Sequence, residues 1–176
     1  EIASFTVGIL MTIENSLIVQ SRFILFDSVL LFFGFISILL YLLYTKDKNK
    51  YYLVIFSALF SAMAFSVKWT GLSYPLLIVI MEILRVKNPK EVLKFMCIYI
   101  LIGAVFYLTI FAVHFSYFAR VGAESFFERF IQINKDMYTS NANLTATHPY
   151  TSKWYTWPFM LRPIFYWQDV AKQQYI

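Results

Sequence analysis

Lys68 is a cation within a long apolar stretch, AFSVKWTGLSY. A charged side chain in such surroundings costs several kcal/mol unless it reaches water, a carboxylate or a phosphate. The functional interpretation is that Lys68, beside Trp69, binds the anionic headgroup of a lipid. The alternative is a lysine that extends to the membrane surface next to an interfacial tryptophan.

Arg22 and Asp27 occur together in QSRFILFD, at the start of another apolar stretch. A carboxylate about one turn inside a bilayer is usually paired or functional. In the structural interpretation, Arg22 extends to the lipid headgroups, and Asp27 pairs with a neighbouring helix. The functional alternative places these side chains at a site.

A dense aromatic and proline-rich segment, HPYTSKWYTWPFMLRPIFYW, follows near the end of the chain. Sugars dock well on aromatic faces, and arginine suits phosphate oxygens. The prolines forbid a regular helix and favour an ordered loop on the membrane surface. The alternative is that the aromatic rings only anchor the loop to lipid. The candidate site residues of this segment are His148, Tyr150, Lys153, Trp154, Trp157 and Arg162.

Other ionisable residues are weaker candidates. Glu14 is near the external end of its apolar run and can belong to the site, whereas Glu82 is close to a basic loop and is interpreted as interfacial. His114 is near the external end of a later run, and the single cysteine, Cys97, excludes a disulfide framework. No zinc, haem or nucleotide spacing is present, so we expect no metal and no cofactor.

The composition predicts a membrane protein. Hydrophobic residues make up 60% of the chain and the mean hydropathy is +0.62, whereas soluble domains contain about half apolar residues. The net charge of +5 comes from short basic clusters between apolar runs, which is typical of cytoplasmic loops rather than of nucleic-acid binding. Because the chain opens with Glu1 and an apolar run, we expect an internal piece of a longer protein.

Five apolar runs are predicted to cross the bilayer, at least four of them as helices of spanning length. Their approximate limits are 1–13, 23–44, 51–67, 70–84 and 92–118. Two short basic loops are two spans apart, so both are expected on the cytoplasmic side. They contain Lys46, Lys48, Lys50, Arg85, Lys87, Lys90 and Lys94. Arg22, the Lys68–Trp69 corner and the chain beyond about residue 118 are then external.

The predicted fold is all-α and polytopic. Residues 1–119 hold the transmembrane helices, and residues 120–176 hold an external amphipathic helix, over 123–137, followed by the aromatic loop. Both parts are expected to form one domain. The amphipathic helix has the apolar spacing of a helix that lies along the membrane interface.

Three motifs resemble those of protein O-mannosyltransferases: IENSLIVQSRFILFDSVLLFF, SVKWTGL and HPYTSKWYTWPFMLRPIFYW, in that order and spacing. The resemblance covers most of the chain. It implies a GT-C-like glycosyltransferase that transfers mannose, with inversion, from polyprenyl- or dolichyl-phosphate mannose to Ser or Thr hydroxyls of proteins on the extracytoplasmic face. It also implies phosphate-binding roles for Arg22, Lys68 and Arg162. The family's general base is an aspartate in an earlier external loop, and no acid of this chain matches it.

Fungal and animal members of that family carry a β-trefoil insertion before the aromatic motif. Only about 28 residues separate the fifth span from His148, which favours a bacterial or archaeal enzyme in the plasma membrane. A eukaryotic member of the family would be in the endoplasmic reticulum membrane. The expected partners are membrane lipid, the lipid-phosphate mannose and secreted or translocating proteins. The alternatives are a related transferase for another acceptor and a non-enzymatic membrane protein or transporter.

Overall fold

The computed structural model describes residues 2–14, 26–117, 125–145, 153, 155–156, 161, 168–169 and 174–175. Its helices are α1 (Ile2–Thr12), α2 (Phe26–Lys46), α3 (Tyr52–Val67), a 3₁₀ helix (Trp69–Leu72), α4 (Ser73–Arg85), α5 (Pro89–Tyr117) and α6 (Phe126–Ala142). Two short antiparallel strands, β1 (Gln168–Asp169) and β2 (Gln174–Tyr175), complete the described elements. The predicted all-α class is confirmed. Contacts between residues divide the chain into two units, 1–122 and 123–176.

Two helices of the described residues, α2 and α5, are long and apolar enough to cross a membrane. They contain 21 and 29 residues, which rise about 32 and 44 Å at 1.5 Å per residue. Within the protein, only 22% of the apolar window of α2 and 6% of that of α5 is buried. A core helix of a soluble protein buries most of its apolar surface, so these helices face lipid.

The prediction of at least four helices of spanning length is wrong for the described residues, which contain two. α3 has 16 residues and α4 has 13, fewer than the roughly 17 that a span requires. α3 stops because Lys68 takes an extended backbone, with φ −160° and ψ 140°. The chain then turns through the 3₁₀ helix, and α4 returns in contact with α2, α3 and α5.

Small polar residues join α2 to α3. The hydroxyl of Ser57 donates to the carbonyl oxygen of Ser37 at 2.6 Å, and the hydroxyl of Ser37 donates to the carbonyl oxygen of Ser57 at 2.9 Å. The Ser61 hydroxyl is 2.5 Å from that of Ser37, and the Tyr99 hydroxyl of α5 is 2.7 Å from that of Ser57. In lipid, close backbone approach and such hydrogen bonds hold helices together, because apolar side chains gain little by leaving lipid for each other.

The two basic segments lie at one end of unit 1–122. The Arg85 guanidinium is 5.6 Å from the ring centre of Tyr44, and the Lys94 ammonium is 5.1 Å from that of Tyr51. The segment after α2 and the segment between α4 and α5 therefore share an end, as the charge pattern predicts.

Glu82 is buried within this end of the bundle and is only 3% exposed; its position at the membrane interface stays a prediction. Arg85, one turn later, donates three hydrogen bonds of 2.7 to 2.9 Å to its carboxylate. The Tyr41 hydroxyl of α2 donates a fourth, at 2.8 Å. These donors take the place of water, so the carboxylate links α4 to α2.

α6 begins with a capping box in unit 123–176. The Ser125 hydroxyl accepts a hydrogen bond from the backbone N–H of Glu128, whose carboxylate accepts one from the backbone N–H of Ser125 at 2.7 Å. The hydrogen bonds from Ser125 lower the pKa of the Glu128 carboxyl. This box fixes the start of a helix that covers most of the predicted amphipathic segment and continues to Ala142. Its position in the membrane interface stays a prediction.

Candidate functional site

Asp27 and Lys68 meet at the end of unit 1–122 that is opposite the basic segments. Asp27 is in the first turn of α2, Lys68 directly follows α3, and Lys68 Nζ is 3.1 Å from Asp27 Oδ1. The two side chains are 56% and 39% exposed. An ion pair this open to water contributes about 0–1 kcal/mol to stability, so it does little to hold the helices. Asp27 is nevertheless the carboxylate partner that the apolar sequence around Lys68 predicts.

Trp69 ties this corner to α5. Its indole Nε1 donates to the Tyr107 hydroxyl at 3.3 Å, and the Tyr107 ring stacks on Phe65 of α3 with a centroid distance of 4.9 Å. Tyr107 is not among the residues predicted from the sequence, where its one signal is a hydroxyl within an apolar run. The corner therefore combines an ammonium, a carboxylate and aromatic rings from three helices.

Gly71 allows the 3₁₀ helix to lie directly on α3. A Cβ atom at this position would overlap the backbone of Ala64 and Phe65, which cannot move aside as a side chain can. The backbone N–H of Gly71 also donates to the carbonyl oxygen of Lys68 at 2.8 Å. The glycine thus fixes the direction in which the corner leaves α3.

Gly71→Ala is expected to destabilise the protein by about 1–3 kcal/mol, the usual cost of overpacking, and to displace Lys68. The measurement is the midpoint of thermal unfolding in detergent. Gly8→Ala is the matched control, since nothing lies within 4 Å of a Cβ atom at Gly8 in α1. Equal midpoints for Gly71→Ala and the wild type would contradict the close approach.

An apolar groove of ≈ 470 Å³ runs between α3, α4 and α5. It starts near the corner, because two of its lining residues, Phe65 and Leu72, flank the Lys68–Gly71 turn. Its lining is almost wholly hydrocarbon, which suits an acyl or isoprenoid chain. The remaining lining residues are Ala58, Ser61, Ala62, Pro75, Leu76, Val79, Met96, Tyr99, Ile100, Gly103 and Ala104.

The structure brings together Asp27, Lys68 and Trp69 among the predicted site residues. Lys153 is exposed in unit 123–176, with its ammonium 5.9 Å from the ring centre of Tyr155. Among the weaker candidates, Glu14 and His114 are both exposed. In the part of the chain that the structure describes, no three His, Cys, Asp or Glu side chains group as a metal site. The remaining predicted residues lie outside the described residues: Arg22, His148, Tyr150, Trp154, Trp157 and Arg162.

These helices define a multi-spanning α-helical membrane protein, with the charged, aromatic corner as its candidate site at one end of the helices. Residues 1–119 match the family model described as dolichyl-phosphate-mannose-protein mannosyltransferase. Residues 126–176 match the model of the C-terminal four-transmembrane region of protein-O-mannosyltransferase. The chain belongs to the dolichyl-phosphate-mannose-protein mannosyltransferase family.

Curated relatives agree with this family. Protein O-mannosyl-transferase 1 of Danio rerio is 41% identical over 66 residues, which are 36% of this chain and 9% of the relative. Two Saccharomyces cerevisiae proteins, dolichyl-phosphate-mannose–protein mannosyltransferases 1 and 5, are 40% and 37% identical over 52 and 51 residues. Those stretches are 30% and 29% of this chain and 6% and 7% of the relatives. Each match thus spans less than a tenth of the relative's length, and no solved structure matches the chain.

Proposed function

We propose that the complete protein transfers mannose from a polyprenyl- or dolichyl-phosphate mannose to Ser or Thr hydroxyls of proteins, with inversion at the anomeric carbon. The observation that carries the proposal is a lysine ammonium, held at 3.1 Å from a carboxylate, at the start of an apolar groove in a chain of this family. A lipid phosphate has both parts that this arrangement suits, an anionic head and a hydrocarbon chain.

In the proposed reaction, the bond between the mannose anomeric carbon and the phosphate oxygen breaks, and its electron pair stays on the phosphate. A bond from the acceptor hydroxyl oxygen to the anomeric carbon forms, and the hydroxyl proton passes to a general base. Lys68 stabilises the leaving phosphate as its charge grows. The reaction requires no cofactor, and no residue of this chain is assigned as the base.

The groove between α3, α4 and α5 takes the first part of the lipid chain in this proposal, and Trp69 faces the sugar or its phosphate. Arg22 and Arg162 are proposed as further phosphate-binding cations. His148, Tyr150, Lys153, Trp154 and Trp157 of the aromatic loop are proposed as sugar-binding residues. Support for these roles comes from the residue types and the family membership, together with the Asp27–Lys68 contact.

We propose that the corner faces the extracytoplasmic side. Both basic segments share the opposite end of the helices, and short basic loops favour the cytoplasm. The finer proposal is the plasma membrane of a prokaryote. Its support is the short connection between the two family matches, which end at residue 119 and begin at residue 126 and leave no room for a folded insertion. Secreted or translocating proteins are the proposed acceptors.

The test is a transfer assay with the complete protein in proteoliposomes. Polyprenyl-phosphate mannose with a radiolabelled sugar and a Ser/Thr-rich peptide should give labelled peptide, whose glycosidic bond has the anomeric configuration opposite to that of the donor. GDP-mannose without the lipid carrier should give none. Labelling from GDP-mannose alone, or retention of configuration, would overturn the proposal.

A further inference from the structure

The Asp27–Lys68 ion pair differs from the Glu82–Arg85 ion pair, which lies within α4, in how firmly it is held. A single contact of 3.1 Å joins Lys68 Nζ to Asp27 Oδ1, and both side chains are more than one-third exposed. The Glu82 carboxylate is 4% exposed as a side chain and receives three hydrogen bonds from Arg85. The buried pair is a fixed link, whereas the exposed pair can open at little cost.

An exchangeable partner matters because the charge of the bound phosphate changes during the proposed reaction. The donor is a phosphodiester with one negative charge. Breaking its bond to mannose leaves a phosphomonoester, which carries about −1.5 to −2 at pH 7. A lone ammonium therefore attracts the spent lipid phosphate more strongly than the donor, and the product would be slow to leave.

We propose that Asp27 is a positioning residue that competes with the lipid phosphate for the Lys68 ammonium and so favours product release; this inference rests on the proposed function. The donor displaces the carboxylate from Lys68 when it binds. After transfer, the Asp27 carboxylate, which is 3.1 Å from the Lys68 ammonium in this structure, offers the ammonium another anion. Its position in the first turn of α2 keeps this competitor in place.

The test measures the inhibition constant of added polyprenyl phosphate and the apparent donor KM in the complete protein. Asp27→Asn keeps the size of the side chain but removes its charge. It is expected to lower the inhibition constant about fivefold, the upper range for an exposed pair. The donor KM is expected to fall only about twofold, because the Asp27 carboxylate repels the singly charged donor about half as strongly as the doubly charged product. Asp27→Glu is expected to restore the wild-type constants. A purely structural role for Asp27 would reduce kcat without this tighter binding of product.

Asp47→Asn is the matched control, because Asp47 pairs with Lys50 at 3.3 Å with similar exposure, 41% and 53%, at the other end of α2. It should leave both constants unchanged. The double variant Asp27→Asn/Lys68→Ala should show no tightening, since the competition acts through Lys68. If Asp27→Asn inserts poorly, Asp27→Ser is measured in the same way.

The outcomes separate the inference from the proposed function. An inhibition constant that is unchanged or raised in the Asp27 variants, while Lys68→Ala weakens both ligands, overturns the role of Asp27 alone. If Lys68→Ala leaves the binding of donor and of polyprenyl phosphate unchanged, the phosphate-binding role of Lys68 fails, and the inference fails with it. Tightening that persists in the double variant also overturns the inference, since it does not act through Lys68.

Discussion

Lys68→Ala in the complete protein is expected to raise the apparent KM for the lipid-phosphate donor about ten- to hundredfold. The reason is that a hydrogen bond to a charged group contributes about 1.5–3 kcal/mol to binding. Stability should change little, because the Lys68–Asp27 pair is more than one-third exposed on both sides and such pairs contribute about 0–1 kcal/mol. Initial rates across donor concentrations and thermal unfolding measure the two effects.

Lys50→Ala is the control for charge alone. Lys50 is paired with Asp47 at 3.3 Å and is 53% exposed, close to the values for Lys68, but it belongs to the basic end of the helices. Its removal should leave the donor KM unchanged. A wild-type donor KM and kcat for Lys68→Ala, in a stably inserted protein, would show that Lys68 is only an interfacial lysine.

Hydropathy located the helices well because transfer of a side chain into lipid is a property of each residue and its neighbours. The predicted third run, 51–67, corresponds to α3 at Tyr52–Val67, and the fifth, 92–118, to α5 at Pro89–Tyr117. The lengths of α3 and α4 were less predictable. They depend on the turn at Lys68 and on the absence of a side chain at Gly71, which are properties of the packed corner rather than of the apolar run.

Contacts between helices could not be predicted in the same way. In a membrane both faces of a helix are apolar, so no amphipathic period tells the protein-facing side from the lipid-facing side. The apolar surroundings of Lys68 predict an anionic or aqueous partner. That this partner is Asp27, 41 residues earlier, depends on how α2 and α3 pack, which the sequence does not reveal. The Trp69–Tyr107 and Tyr41–Glu82 hydrogen bonds, 38 and 41 residues apart, follow from the same packing.

Arg85→Met is expected to give the largest loss of stability among these variants, about 3–5 kcal/mol, the cost of breaking a buried ion pair from one side. Glu82 is 3% exposed and would be left with the Tyr41 hydroxyl as its remaining hydrogen-bond donor among those the structure describes. Lys87→Met, a change of an exposed cation two residues later, should have little effect. The measurement is the midpoint of thermal unfolding in detergent at neutral pH.

Removing the charges of both Glu82 and Arg85 shows whether Arg85→Met loses stability because the Glu82 carboxylate lacks its partner or because packing is lost. Glu82→Leu/Arg85→Met should recover most of the loss, because a buried ion pair replaced by apolar side chains of similar size is often neutral or stabilising. The loss of stability that the double variant does not recover comes from the Tyr41 hydroxyl, which no longer has an acceptor, at a cost of about 1–3 kcal/mol. Adding Tyr41→Phe should recover this remaining stability. If the double variant unfolds at the same temperature as Arg85→Met, the buried charge of Glu82 is not the cause. The Arg85 side chain would then stabilise this end through its contact with the Tyr44 ring, 5.6 Å away.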